Sequence, residues 1–289
     1  MPWTWTFHAH PEVWVLVVML WVGYRLALTH IGPRYVAVDE PVATPAQRRF
    51  FAIGVLTLLV ASEWPIHDLA EGYLYSVHMV QHLLLTLVAP PLLMLGMPAW
   101  LVRVLIPPKA MRVVRRLARP MVALILFNAI IVLTHWPVIV DAAVGSEILH
   151  FLQHVLLVST AFLMWAPVFS PVIEIPRLSY PGQMMYLFLQ SLVPTVPASF
   201  LTFGDRPLYA IYETFPRILG VSALNDMRTA GLIMKIAGGA ALWVVITWIF
   251  FKWATLERSG VDALEHHDLD RAIDRMELKE GWKSSGTVS

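Results

Sequence analysis

Histidine and glutamine recur with one spacing at two places in the chain. The pattern His-x-x-Gln-His-x-Leu begins at His78 and again, 72 residues later, at His150. In a helix, residues i and i+4 lie on one face, so each copy presents two imidazoles side by side. Imidazole nitrogen is a ligand for copper, zinc, iron and nickel. The pattern therefore predicts a metal site whose ligands are His78, His82, His150 and His154.

The two copies belong to a longer internal repeat. Trp-Pro occurs at residues 64–65 and again at 136–137, and the first histidine of each copy follows the tryptophan by the same 14 residues. A polar residue precedes each Trp-Pro, and we expect Glu63 and His135 to act as auxiliary metal ligands or as a gate. Two spans repeated in series keep their orientation. The repeat therefore predicts both histidine pairs at one depth, near the outer ends of their helices.

The sequence alone leaves other roles open for these polar side chains. The four histidines could form a structural polar network, because polar groups inside a membrane usually face the bundle interior. Gln81 and Gln153 could orient the imidazoles or hydrogen-bond between helices. Asp226, just before the last span, could face the site or cap its own helix. Two facing histidines could also ligate a haem iron, although neighbouring leucine and valine side chains disfavour it.

Several other kinds of site are excluded or disfavoured. The chain has no cysteine, which excludes disulfides, thiolate metal sites and iron–sulfur clusters. Besides Glu63, only Asp68 and Glu71 lie just before the first copy, too few for a di-iron carboxylate site. No phosphate loop, Ser–His–Asp arrangement or H-E-x-x-H motif is present, so we predict no enzyme. Four methionines could add soft ligands, although such residues usually fill cores: Met79, Met94, Met227 and Met234.

The composition indicates an integral membrane protein. Of the 289 residues, 57% are hydrophobic and 14% are charged, against roughly 45–50% and about 25% in soluble domains. A hydrocarbon core about 30 Å thick requires roughly 20 apolar helical residues. We predict an all-α fold with seven transmembrane helices, in which spans two and three and spans four and five form the repeat. The spans are residues 13–30, 50–64, 75–96, 121–136, 148–169, 183–203 and 229–253.

The distribution of lysine and arginine predicts the orientation. Basic residues follow spans one, three and seven, whereas the N-terminus and the loops after spans two and four have none. By the positive-inside rule, the N-terminus lies outside and the C-terminus in the cytoplasm. We predict a transmembrane domain at residues 1–254 and a charged cytoplasmic tail at residues 255–289. The basic run at residues 112–119 adjoins a span, which favours contact with phosphates of the lipid bilayer over nucleic acid.

Several of these motifs carry a resemblance to a known family. The stretch from His78 to Leu85, then Ala89 to Leu93 and Gly96, resembles the signature of CtaG-type assembly factors of caa3-type cytochrome c oxidases. This is the seven-helix kind, not the single-span copper chaperone of the same name. The resemblance continues through residues 136–137, 150–154, 207–209 and 226–234, and spans residues 50–253. Met227 and Lys235 depart from the family pattern, where we expect a glutamine and an apolar residue.

The resemblance implies a multi-pass protein of the bacterial cytoplasmic (inner) membrane that helps to mature a haem–copper oxidase. It implies copper as the bound metal, brought to the oxidase by way of the histidine cluster. The implied partners are cytochrome c oxidase subunits and a periplasmic copper chaperone. Two alternatives remain: a haem-binding membrane electron carrier, which a Soret band would reveal, and a scaffolding protein whose histidine and glutamine network only packs helices.

Overall fold

The chain folds into a bundle of membrane-spanning helices. In a computed structural model, which describes residues 5–218 and 220–260, the described residues contain helices and connecting segments but no strand. Six of the described helices are long and apolar enough to cross a membrane. A seventh is added if the bent pair Pro108–Leu117 and Pro120–Thr134, at 76° to each other, counts as one span. The prediction of an all-helical, multi-pass membrane protein is confirmed.

The helices follow one another with short connections. In chain order the α-helices are α1 Pro11–Leu26, α2 Pro45–Ser62, α3 Ile66–Gly72, α4 Tyr75–Leu83, α5 Ala89–Gly96, α6 Ala99–Leu105, α7 Pro108–Leu117, α8 Pro120–Thr134, α9 Pro137–Val144, α10 Glu147–Phe169, α11 Tyr180–Leu192, α12 Thr195–Phe203 and α13 Ala223–Leu232. Tight or widened turns lie at Ala27–Ile31, Gly32–Arg34, Leu84–Val88, Ala210–Glu213 and Ile233–Ala237. After α13 the chain stays helical to the end of the span Ala223–Gly260.

The spans differ from the predicted ones mainly at their ends. The second span begins five residues early because Thr44 and Gln47 form a capping box that draws a polar turn into the helix. It also continues past Trp64-Pro65 through α3, which gives Pro45–Gly72. The fourth span is shorter than a full crossing, since the 15 residues of α8 rise only about 22 Å. Residues 255–260 extend the last helix, and the rest of the predicted tail lies outside the described residues.

The helix pair α2 and α5 packs closely through glycine. A Cβ atom added to Gly96 would lie 2.5 Å from the backbone nitrogen of Phe51, so only glycine permits this approach. The hydroxyl of Tyr24 on α1 donates a hydrogen bond of 2.9 Å to the carbonyl of Gly96. Small residues allow helix backbones to approach closely in membranes, where apolar side chains gain nothing by leaving lipid. These contacts hold α1, α2 and α5 together.

A proline in the third span is compensated by a tryptophan on α10. Pro90 has no N–H group, so it cannot donate to the carbonyl of Thr86, four residues earlier. The indole nitrogen of Trp165 donates to that carbonyl instead, at 2.9 Å, and both partners are buried. The widened turn Leu84–Val88 carries the chain from α4 to α5, so Tyr75–Gly96 remains one span. The hydrogen bond ties α10 to the span that carries the first histidine pair.

The two sequence copies follow the same succession of elements. In each, a long helix ends at Trp-Pro, a short helix follows, and the next helix carries the two histidines. The first succession is α2, α3 and α4, and the second is α8, α9 and α10. The histidine pairs therefore stand at the beginnings of two spans at one end of the bundle. The orientation of that end, outside by the distribution of lysine and arginine, stays a prediction.

Candidate metal centre

The beginning of α4 is fixed by an acidic side chain from another span. Asp226 on α13 is buried, and its carboxylate accepts hydrogen bonds from the backbone N–H groups of Tyr75 and Ser76, at 2.7 and 3.1 Å. It also accepts from the Ser76 hydroxyl, at 2.5 Å. Neither predicted role of Asp226 is therefore the one observed, because Ser222 caps α13 and Asp226 caps α4. A carboxylate at this position also interacts favourably with the helix dipole.

The four predicted histidines come together in the structure. On α4 the ring centroids of His78 and His82 lie 4.2 Å apart, and on α10 those of His150 and His154 lie 4.5 Å apart. Across the two helices the His82 and His154 rings lie 5.2 Å apart, and the His78 and His150 rings 5.5 Å. We call these four residues the four-histidine cluster.

Ring nitrogens from several members of the cluster lie close together. The Nε2 atom of His154 lies 2.9 Å from Nε2 of His150 and 3.4 Å from Nε2 of His82. One ring nitrogen from each of His78, His150 and His154 lies within 4.8 Å of the other two. A cation held tetrahedrally by imidazole nitrogens at about 2.0–2.1 Å spaces those nitrogens roughly 3.3 Å apart. Three of the rings, those of His78, His150 and His154, are therefore close to the geometry that a single metal ion requires.

The space beside the rings is small and is lined mostly by buried side chains. His78 and His82 are buried, with 7% and 8% of their surface exposed. A cavity of about 10 Å³ lies beside the rings and is bounded by both helices and by Tyr75 and Tyr212. A cavity of this size is at the lower limit for holding one water molecule. It suits an ion bound directly by side chains better than a larger ligand.

His135 lies beside the cluster in a form suited to ligation. Its Nδ1 atom is 2.7 Å from the carbonyl of Ile131, which can only accept, so Nδ1 carries the proton. In the neutral ring the Nε2 atom then keeps its lone pair, and this atom is buried without a hydrogen-bond partner. The His135 and His82 ring centroids lie 6.3 Å apart. The structure thus places His135 next to His82, with an Nε2 atom that has no hydrogen-bond partner.

The two glutamines of the repeat connect helices. The side-chain nitrogen of Gln81 donates to the carbonyl of Ala61 on α2, at 3.0 Å. That of Gln153 donates to the carbonyl of Thr134 on α8, at 3.2 Å. Each glutamine therefore binds the last turn of the helix before its Trp-Pro, which is the interhelical role, and neither donates to a ring of the cluster. Gln81 also lies 3.3 Å from Nδ1 of His67.

Glu63 lies apart from the cluster. Its Oε1 atom accepts a hydrogen bond of 3.2 Å from the backbone N–H of His10, and its Oε2 atom is buried without a partner. Within the described part of the chain it makes no hydrogen bond or ion pair with the four histidines. The structure thus separates the two predicted auxiliary residues, with His135 beside the cluster and Glu63 beside the N-terminal segment.

A second group of histidines and carboxylates, which the sequence did not single out as a site, adjoins the cluster. Its members, which we call the peripheral group, are His8, His10, His67, Asp68 and Glu71. His8 Nδ1 and His10 Nε2 contact the Asp68 carboxylate at 2.9 and 2.6 Å. Glu71 Oε1 lies 3.3 Å from His67 Nδ1 and 3.2 Å from His150 Nε2. The peripheral group therefore contacts the cluster through Glu71.

The peripheral group has an electrostatic environment that favours cations. Partial burial lowers the pKa of His10, but the hydrogen bond to Asp68 and the negative charges of Asp68, Glu63 and Glu12 outweigh this and raise it. The chain has no lysine or arginine between Arg49 and Arg103 or between Arg119 and Arg177. Apart from Arg48 and Arg49 near the beginning of α2, helices α2 to α5 and α8 to α10 therefore carry no lysine or arginine, and the carboxylates of α3 stabilise positive charge here.

Methionine side chains line a second cavity, which His82 also borders. A cavity of about 60 Å³ is bounded by His82, His135, Met79, Met234 and a further methionine, Met164. All three methionines are buried, and so are Met94 and Met227. Of the four methionines singled out in the sequence, Met79 and Met234 thus border a space shared with a histidine of the cluster. Thioether sulfur is a ligand that copper(I) accepts.

The comparisons with known proteins agree with the resemblance seen in the sequence. A family model described as cytochrome c oxidase caa3 assembly factor matches residues 22–255. The matched range includes all four members of the four-histidine cluster. No curated protein and no solved structure matches the chain. The match spans most of the chain, from α1 to the last helix. The chain therefore belongs to the Caa3_CtaG family of cytochrome c oxidase caa3 assembly factors.

Proposed function

We propose that this assembly factor binds copper at the four-histidine cluster and passes it to a cytochrome c oxidase. The observation that carries the proposal is that the Nε2 atom of His154 lies 2.9 Å from that of His150 and 3.4 Å from that of His82. The donor set selects the late first-row metals, and copper stands at the top of their affinity order. The family supplies the destination, since a haem–copper oxidase contains copper. His135 is proposed as an auxiliary ligand.

Hydrogen bonding alone leaves this group of histidines incompletely satisfied. A neutral imidazole has one donor and one acceptor. Nδ1 of His78, Nδ1 of His82 and Nε2 of His135 are buried without a hydrogen-bond partner. Unsatisfied polar atoms inside a membrane are costly and usually mark function. This supports an ion-binding role over a scaffolding role in which the histidines only pack helices.

The packing of the rings argues against a haem. The cavity beside the cluster has a volume of about 10 Å³, and the ring centroids of His82 and His154 are 5.2 Å apart. A haem held between these two histidines would need its whole macrocycle to pass between α4 and α10. A single ion needs no such opening. We therefore favour copper over the haem-binding electron carrier.

The proposed role is that of a carrier rather than an enzyme. We propose that the protein acts in the bacterial cytoplasmic membrane, with the cluster at the outer side, as the distribution of lysine and arginine predicts. There it would receive copper from a periplasmic copper chaperone and deliver it to oxidase subunits. Glu63, which accepts a hydrogen bond from the backbone N–H of His10, would not be a ligand of the same ion.

Cells lacking the protein provide the test of this function. We expect the wild-type gene to restore the copper content and activity of the oxidase, and a His78→Ala/His150→Ala variant to leave both at the level of the deletion strain. His30→Ala removes an exposed histidine far from the cluster in the sequence and should restore the oxidase fully. Oxidase is measured in isolated membranes, with and without added copper. Normal oxidase copper with the double variant would show that the cluster only packs helices.

A further inference from the structure

A continuous series of histidine and carboxylate side chains leads from the protein surface to the four-histidine cluster. It begins at His8, whose side chain is 60% exposed, and continues through Asp68 to His10. The His10 and His67 ring centroids are 4.4 Å apart, and His67 lies 3.3 Å from Glu71. Glu71 in turn lies 3.2 Å from His150, the first member of the cluster.

We propose that the peripheral group is the path by which copper reaches the cluster, with Asp68 as the receiving carboxylate and Glu71 as the ligand that transfers the ion to His150. This inference rests on the proposed function, because it assigns a route to the same site. An ion moving along the path exchanges one imidazole or carboxylate ligand for the next at each step. No electron is transferred and no covalent bond is broken.

The geometry of Glu71 supports the transfer role. One oxygen atom, Oε1, lies within 3.3 Å of both His67 and His150, so a single carboxylate can contact an ion on either side. Its side chain is 34% exposed, whereas the side chains of His67 and His150 are 24% and 15% exposed. Glu71 thus keeps access to water while it contacts the cluster, as a transfer ligand must.

The charge of the surroundings supports cation uptake at this place. Glu63, Asp68 and Glu71 lie on or just before α3, and the chain has no lysine or arginine between Arg49 and Arg103. Glu63 is 5% exposed, and its buried Oε2 atom has no partner. Carboxylates gathered at the outer end of the path raise the local concentration of cations and speed their association with the protein. Since Glu63 is held by the backbone of His10, its charge stays beside the path.

The rate of copper loading tests this path. Purified full-length protein is mixed with copper(I) held by a chromogenic chelator, and transfer is followed as loss of the chelator colour. We expect Asp68→Asn and Glu71→Gln to bind the same final amount of copper as wild type but at least about tenfold more slowly. Glu257→Gln removes an exposed carboxylate near the end of the last described helix, outside the path, and should load at the wild-type rate.

The outcomes separate the two proposals. Wild-type rates in both Asp68→Asn and Glu71→Gln would overturn the path while leaving the copper site intact. A lower final amount of copper in Asp68→Asn would also overturn it, because Asp68 would then belong to the site where the ion comes to rest. If wild-type protein takes no copper from the chelator, the proposed function itself fails, and the path fails with it.

Discussion

Replacing His154 by alanine should lower the affinity of the purified protein for copper by at least about 100-fold. Loss of a residue that only supports a ligand costs a metal site up to about 100-fold in affinity, and His154 is proposed as a ligand itself. Its Nε2 atom lies between those of His150 and His82, at 2.9 and 3.4 Å. No other ring of the cluster has two such short nitrogen contacts within it. Competition with a chelator of known copper affinity measures the change.

Two control variants separate ligation from packing. Gln153→Ala removes the adjacent hydrogen bond between α10 and α8, so it loosens the same helix without removing a ligand. His30→Ala removes an exposed histidine and reports on non-specific copper binding. Both should stay close to wild-type affinity. Equal losses in His154→Ala and Gln153→Ala would mean that helix packing, not coordination, sets the affinity.

Replacing Asp226 by alanine should destabilise the protein by about 3 kcal/mol, because the first turn of α4 loses a buried, charged acceptor. In a domain of this size such a loss lowers the unfolding midpoint by roughly 5–10 °C. The four-histidine cluster should suffer as well, since His78 and His82 lie on the same helix. Thermal unfolding in detergent and copper affinity are measured on the same preparation.

Asp205→Ala serves as the matched control for Asp226→Ala. Asp205 is an exposed acidic residue in the segment after α12, and no hydrogen bond or ion pair of its side chain is described. Its replacement should leave the unfolding midpoint and the copper affinity unchanged. An unfolding midpoint for Asp226→Ala equal to that of Asp205→Ala would contradict the anchoring role, and the position of α4 would then need another explanation.

The membrane spans could be predicted because they depend on composition within short windows. Every predicted span overlaps an observed helix, but the ends depended on local chemistry that hydropathy does not register. The capping box at Thr44 and Gln47 extended one helix into a polar turn. The turn at Ala118 and Arg119 set α7 and α8 at 76°, which shortened the fourth crossing.

The four-histidine cluster could be predicted in part because its members are four residues apart within two helices. That spacing places the two histidines of each pair on one face of their helix, and the repeat suggested that the two pairs lie close together. His8, His10 and His67 gave no such signal, since His8 and His10 lie near the N-terminus and His67 follows His10 only after 57 residues. The hydrogen bonds of His8 and His10 to Asp68 arise because the N-terminal segment lies against α3, which follows it by 60 and 58 residues of chain.

Long-range contacts also decided the role of single acidic residues. Asp226 reaches the beginning of α4 across 150 residues of chain, whereas the sequence suggested either the site or its own helix. Glu63 precedes Trp-Pro as His135 does, yet it binds the backbone of His10 and not a ring of the cluster. Spacing along the chain predicts what one helix presents, but not which element packs against it.

The X-ray absorption spectrum of copper bound to the purified full-length protein tests the copper site most directly. We predict a first shell of nitrogen with outer-shell scattering from at least three imidazole rings, as the convergence of His78, His150 and His154 requires. The His78→Ala/His150→Ala variant should lose this signature. A first shell dominated by sulfur, or an unchanged imidazole signature in that variant, would place the copper elsewhere and contradict the proposed site.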